Sequence, residues 1–209
     1  MTETLVATFV TLFVAIEPLS TAAVFASLVA DAAPNERRRT AVRGVMISAI
    51  VLFAFAFGGE PLLGALGIEL SAFRIAGGIL LLLVSIDMVM ARPSGLRAAT
   101  PGELEESGTR QDISVFPLAI PLIAGPGALT AIVLLMSDGA GNIALQVAIV
   151  AVLLAILVVT LLCLLAAAQI VRLLGETGVN VVSRVSGIIL AALAVQFVID
   201  GVRQVFNLG

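Results

Sequence analysis

Glu17 stands near the middle of a long apolar run and is followed at once by Pro18, Ser20 and Thr21. A carboxylate at that depth of a membrane span is costly unless it faces a cavity, binds a cation or is protonated. Glu17 therefore has two readings: a site for a coupling ion, a proton or a substrate ammonium group, or a protonated, hydrogen-bonded structural acid. Pro18 removes a backbone donor and clashes with the preceding turn, so carbonyls are freed beside the two hydroxyls. A second set lies about half the chain further on, in Ile120-Pro121-Leu-Ile-Ala-Gly125-Pro126-Gly127-Ala128-Leu-Thr130. Pro117, Pro121 and Pro126 with two glycines cannot form an undistorted helix. A restart after Pro126 would aim the N–H groups of Gly127 and Ala128 at a ligand, and a helix N-terminus favours a carboxylate. The structural alternative is a kinked span packed closely on a neighbour through its glycines. Asp87 lies within about a turn of Arg92, so it reads equally as an interface anchor and as a functional carboxylate.

The missing residue types exclude much other chemistry. The chain has no histidine and one cysteine, Cys163, so the usual zinc, haem, Ser-His and Cys-His arrangements cannot be built, nor can a dithiol relay. Cys163 reads as a small buried apolar residue. Trp and Tyr are absent, which leaves ten phenylalanines in place of an aromatic belt. A net charge of -3 without a basic cluster suited to nucleic acid points away from such a partner.

These residues need elements that hold them inside a bilayer. With 209 residues, 60% hydrophobic and 12% charged, and a mean hydropathy of +1.19, the chain falls outside the soluble range. A span takes roughly 20 apolar residues, so there is room for about six helices and no soluble catalytic domain. The apolar stretches are Leu5 to Ala30, Ala41 to Leu63, Ala72 to Ala91, Ile113 to Met136, Ile143 to Val171 and Val181 to Val202. Pro34 sits where a new helix would start. The loop of residues 92–112 divides the chain into a first repeat, 1–95, and a second, 113–209, within one integral membrane domain. Met1-Thr2-Glu3-Thr4 lacks the basic start of a cleaved signal, so the first segment is expected to remain a span.

All eleven basic residues are arginine. Arg37, Arg38, Arg39, Arg43, Arg92, Arg97, Arg110, Arg172 and Arg184 fall on one side, against Arg74 and Arg203 on the other. Nine against two places the first group in the cytoplasm and both termini outside. Arg74 and Arg184 each open the third span of a half, where snorkelling or a carbonyl contact is expected. Asp200 and Arg203 are expected at the outer interface.

The halves resemble each other. Glu17-Pro18 aligns with Gly125-Pro126, and Leu66-Gly67 with Leu174-Gly175, at one offset of 108; Arg74 to Leu80 aligns with Arg184 to Leu190 at an offset of 110. Three matches in one order argue for duplication. Each half holds three spans, an odd number, so the copies must run in opposite orientation. The expected fold is an all-α membrane protein of six transmembrane helices, arranged as two inverted three-helix repeats with Pro/Gly-broken helices one and four. Gly77, Gly78 and Gly187 are expected to allow close helix approach.

Two motifs carry a family resemblance. Phe73-Arg-Ile-Ala-Gly-Gly-Ile-Leu-Leu-Leu-Leu-Val-Ser-Ile-Asp87-Met88 resembles the third-helix signature of the MarC family of bacterial inner-membrane proteins, and Phe116-Pro117 to Thr130 resembles its fourth. The similarity runs over the whole length. The family usually has Asn-Pro in helix one, followed by a glycine and a second proline, whereas this chain reads Glu17-Pro18-Leu19-Ser20. An acid replacing the amide bears on the coupling ion or the substrate charge.

The resemblance and the inverted halves together imply a multi-pass protein of the inner membrane that is not an enzyme. It would be a secondary transporter or exporter of small neutral amino acids or similar metabolites, with both termini periplasmic. The candidate substrate- or ion-binding residues are Glu17, Pro18, Ser20, Thr21, Asp87, Gly125, Pro126, Gly127, Ala128 and Thr130; among them the Gly127 and Ala128 backbone amides would hold a carboxylate, while Glu17, Ser20 and Thr21 would take the ammonium group or a coupling proton. No cofactor is expected beyond a coupling proton or sodium ion. The expected partners are lipid and a small solute. A non-transport stress-response or structural subunit is a second reading, favoured by a sealed core between helices one and four. A hydrolase using Glu17 with Asp87 is disfavoured, because the two differ in depth by on the order of 15 Å.

Overall fold

The computed structural model describes residues 2–90 and 112–206, and every element within them is helical. The basic residues Arg92, Arg97 and Arg110 and most of the dividing loop lie outside the described residues. The first span is Glu3–Leu28, made of α1 (Thr2–Ile16) and α2 (Pro18–Leu28) with Glu17 between them. It is followed by α3 (Pro34–Ala65) and α4 (Leu70–Met90). The second half holds α5 (Ser114–Ile123), α6 (Pro126–Asp138), α7 (Ile143–Leu165) and α8 (Ala167–Phe206). Five helices are long and apolar enough to cross a membrane, and six spans result if α5 and α6, bent by 56°, make one.

Local chemistry explains the element ends. Pro34 occupies the first turn of α3, where its missing N–H costs nothing, and the Glu36 carboxylate accepts from the Ala33 N–H at 3.3 Å. Arg37 turns back on α2, donating from Nε to the Ala32 carbonyl at 2.8 Å and from Nη2 to the Ala30 carbonyl at 2.6 Å. An arginine there satisfies carbonyls of the turn that joins α2 to α3. The Asn142 side chain accepts from the Leu145 N–H at 3.1 Å and so opens α7. With 32 residues, α3 is about 48 Å long, more than the hydrocarbon thickness. It spans with tilt or with its ends in the headgroups.

Gly175 (φ 63, ψ 175) interrupts α8, so its span is Thr177–Phe206 and its first turns are a separate short segment. The fifth stretch, expected to reach Val171, ends as a span at Leu165, where the chain turns at Ala166 and starts α8.

Spans pack where side chains vanish. A Cβ on Gly78 would lie 2.7 Å from the Ala194 carbonyl oxygen, one on Gly187 2.9 Å from Met88 Cβ, and one on Gly201 2.6 Å from Ile75 Cγ1. These contacts run in opposite senses along the two chains, so α4 and α8 are antiparallel neighbours at close range. Such small-residue approach gives dispersion contact where lipid offers no hydrophobic drive. Leu81, Val84 and Met88 of α4 join Leu190 and Ala194 of α8 and Val14 of α1 in one apolar cluster. The larger cluster draws on α1, α2, α3, α5, α6 and α7, with Ala167 at the start of α8, and contains both interrupted regions. Ile50, Val158 and Leu162 are more than half exposed on the outside of the bundle, as lipid-facing residues are.

Candidate functional site

The first interruption is a single residue. Glu17 has left-handed backbone angles (φ 53, ψ 64), with α1 ending before it and Pro18 opening α2 after it. A non-glycine residue in this region costs roughly 1–2 kcal/mol, and it persists where the surroundings determine it. Glu17 is 4% exposed, and Ser20 Oγ donates to its Oε1 at 2.7 Å. Thr21, also buried, donates from Oγ1 to the Ile16 carbonyl at 3.2 Å. In hydrocarbon, carbonyls released at a break need internal partners, and this hydroxyl is one.

The second interruption is longer. In α5 the bonds widen to the residue five back, as in Ala124 N–H to the Ala119 carbonyl at 2.8 Å. Phe116 and Ile120 are extended, as residues ahead of proline prefer to be, and the Phe116-Pro117 and Ile120-Pro121 peptides are cis. Ser48 of α3, fully buried, reaches across with Oγ at 2.8 Å from the Gly44 carbonyl and 3.4 Å from the Ala119 carbonyl. Gly125 caps α6 in extended conformation with Pro126 in its first turn, which leaves the Gly127 and Ala128 N–H groups at the helix start.

The two interruptions share one core: Ala15, Ile16 and Ala22 pack in the cluster that holds Ile123, Ala124 and Ala128. Between them is a cavity of about 10 Å³, lined by Ala15, Leu81, Val84, Pro121, Leu122, Gly125, Pro126, Gly127 and Leu190. That is the room of about one water, and its lining side chains are apolar. Gly125, Pro126 and Gly127 face this space; the Glu17 side chain is not among its walls. Ala128 is fully buried in the cluster. Thr130 turns to α4, where a Cβ on Gly77 would collide with its Cγ2. Asp87 is half-buried near the end of α4, some ten residues beyond Gly77, so it sits a rise of about 15 Å from the level of Thr130.

Arg74 corrects an expectation. It neither snorkels nor caps a carbonyl: it is 5% exposed, and its Nη2 donates to Asp138 Oδ1 in an ion pair between α4 and the end of α6. Arg184, by contrast, is exposed, as is Arg203, while Asp200 is half-buried and accepts from Gln196 Nε2 at 2.8 Å. Asp138 and Ser48 were missed by sequence reasoning. Asp138 had one signal, an acid ending the fourth span on the same side as Arg74; Ser48 had none beyond a hydroxyl in an apolar helix. At the other end of the bundle, Asp112 pairs with Arg43 and accepts from Ser114 Oγ at 2.5 Å and Ser114 N–H at 3.1 Å. Chiefly through the Ser114 hydroxyl, with Arg43 and Arg39 adding, its carboxyl is held below the usual carboxylate range. Among the described residues no group of three or more His, Cys, Asp or Glu is placed to hold a metal ion.

A bundle of five to six apolar spans with paired interruptions in its core defines a polytopic integral membrane protein. The chain belongs to the MarC family: residues 2–206 match the family described as MarC family integral membrane protein. It is 36% identical over 195 residues to a UPF0056 membrane protein of Methanocaldococcus jannaschii, covering 93% of this chain and 94% of that one. It is 35% identical over 195 residues to the UPF0056 inner membrane protein YhgN of Escherichia coli K12, with 93% and 94% covered. A UPF0056 membrane protein of Archaeoglobus fulgidus is 35% identical over 198 residues, with 95% and 92% covered. No solved structure matches the chain significantly.

Proposed function

We propose that the protein is a secondary transporter or exporter of small neutral amino acids or similar metabolites across the inner membrane. The observation that carries this reading is the meeting of two interrupted spans in one buried core. One contributes a carboxylate held by Ser20, the other a helix start with the Gly127 and Ala128 N–H groups. A zwitterion offers an ammonium group to the first and a carboxylate to the second. The antiparallel, glycine-mediated packing of α4 on α8 supports reading them as equivalent spans of two inverted repeats that rock against each other. In this reading the Arg37–Arg39 end is cytoplasmic and both termini are periplasmic.

The cavity between the two interruptions is closed in this conformation, since about 10 Å³ holds no amino acid. Alternating access requires such a state between its two open ones. The same closed centre favours the second reading, a membrane subunit that moves no solute. Uptake of labelled small amino acids into proteoliposomes, with proton and sodium gradients imposed in turn, decides between them. Transport that falls sharply in Glu17→Gln and Gly127→Leu supports the first reading; no uptake of any amino acid under any gradient supports the second.

A further inference from the structure

Arg74 and Asp138 are an unequal pair. The arginine side chain is 6% exposed and the aspartate side chain 50%. Asp138 can therefore leave for water at low cost, whereas a guanidinium inside the bundle must keep an anion beside it. Asp138 is also the last residue of α6, where the negative end of the helix dipole disfavours a carboxylate. The contact itself is incomplete. A carboxylate fits an arginine best with one oxygen on Nε and one on an Nη nitrogen. Asp138 takes Nη2 through Oδ1, while the buried Nε has no hydrogen-bond partner among the described residues. Half of the fork is unused.

The pair sits at the head of a seam. Along antiparallel α4 and α6, Arg74 meets Asp138, Gly77 meets Thr130, and Leu81 meets Gly127 at the start of α6. From Asp138 to Gly127 is a helical rise of about 16 Å. Its two ends carry the two groups in this region that suit a carboxylate, a half-used guanidinium fork and a helix N-terminus. Thr130 and Leu81 fill the space between, so passage requires α6 to part from α4.

We propose that Arg74 is a carboxylate-binding residue at the mouth of the α4–α6 seam. An incoming small carboxylate displaces Asp138, is held by Nε and Nη2 together, and passes along the parted seam to the Gly127 and Ala128 N–H groups. The second stage rests on the transport reading; the exchange of anions at Arg74 does not.

The test uses the full chain in nanodiscs with its arginine Nε atoms labelled with nitrogen-15, the Arg74 signal being assigned by its loss in Arg74→Lys. Sodium acetate should shift that signal saturably, sodium chloride should not, and Asp138→Asn should tighten the response. In proteoliposomes taking up labelled alanine, Arg74→Lys should raise KM roughly tenfold with Vmax little changed, and Asp138→Asn should lower KM. Opposite signs are the signature of a competitor carboxylate. Equal impairment by the two variants would show a structural clasp and overturn the proposal, as would an Arg74 signal indifferent to acetate in both proteins. If acetate shifts Arg74 but no amino acid is taken up, the transport reading fails and the site stands. Robust uptake with no acetate response would instead uphold transport and remove the site.

Discussion

Thr130 leaves no room for a side chain at Gly77: a Cβ there would collide with Thr130 Cγ2 and lie 3.1 Å from its Oγ1. The contact joins α4 to α6 beside the second interruption, so it couples a packing detail to the candidate site. Overfilling a close-packed interface costs typically about 1–3 kcal/mol. Gly77→Ala should therefore lower thermal stability in detergent, and adding Thr130→Ala should restore most of it. A double-mutant cycle with no coupling would show that the two helices are not in contact there.

Glu17 combines a left-handed backbone with a buried carboxylate, and substitutions can separate the two. Asparagine tolerates φ near 53° better than glutamate does. Glu17→Asn should keep or raise thermal stability while abolishing any dependence of transport on a proton or cation gradient. Glu17→Val, β-branched and unsuited to that backbone, should destabilise by about 1–3 kcal/mol. Equal stability of the Asn and Val variants would remove the backbone argument.

Asp112 has its carboxyl held below the usual range, mainly by the Ser114 hydroxyl and further by Arg43. A depressed folded value means the carboxylate stabilises the fold above the unfolded-state pKa and loses that contribution as pH falls through the folded value. Wild-type melting temperature should thus drop more steeply on acidification below about pH 4 than that of Asp112→Asn. The group is exposed, so the difference should be small and should shrink at high salt. Parallel pH profiles for the two proteins would contradict the assignment.

Between α2 and α8, beside Gly175, is an open cleft of about 510 Å³ lined by Ala23, Ala26, Ser27, Val171, Val179 and Asn180. Cys163 is the single cysteine, so Cys163→Ala provides a clean background. Ser27→Cys in that background should react with a membrane-impermeant maleimide in inside-out vesicles and not in intact cells. Reaction from the outside alone would invert the orientation drawn from the arginine count.

The spans and the interruptions were legible for different reasons. Runs such as Ile143 to Leu165 declare themselves by composition, because a lipid-exposed helix must be apolar along its whole length. Proline and glycine near Glu17 and Gly125 declare themselves by what they forbid, since covalent geometry acts without regard to neighbours. The end of α7 at Leu165 was not legible: Ala166 to Val171 holds a single polar residue, Gln169, and no proline or glycine, and the start of a separate segment ahead of Gly175 depends on packing.

Composition and local geometry therefore determined that this chain lives in a bilayer, which stretches are long and apolar enough to cross it and where two of them are interrupted. Tertiary structure decided which residues those interruptions meet. It brought Ser48 to the Ala119 carbonyl across 71 positions, and Arg74 to Asp138 across 64. It also turned Thr130 onto Gly77 and left a cavity of about 10 Å³ beside Gly125 to Gly127. Hydrophobicity is a property each residue carries alone, whereas an ion pair or a sealed seam exists only when two distant helices share a face.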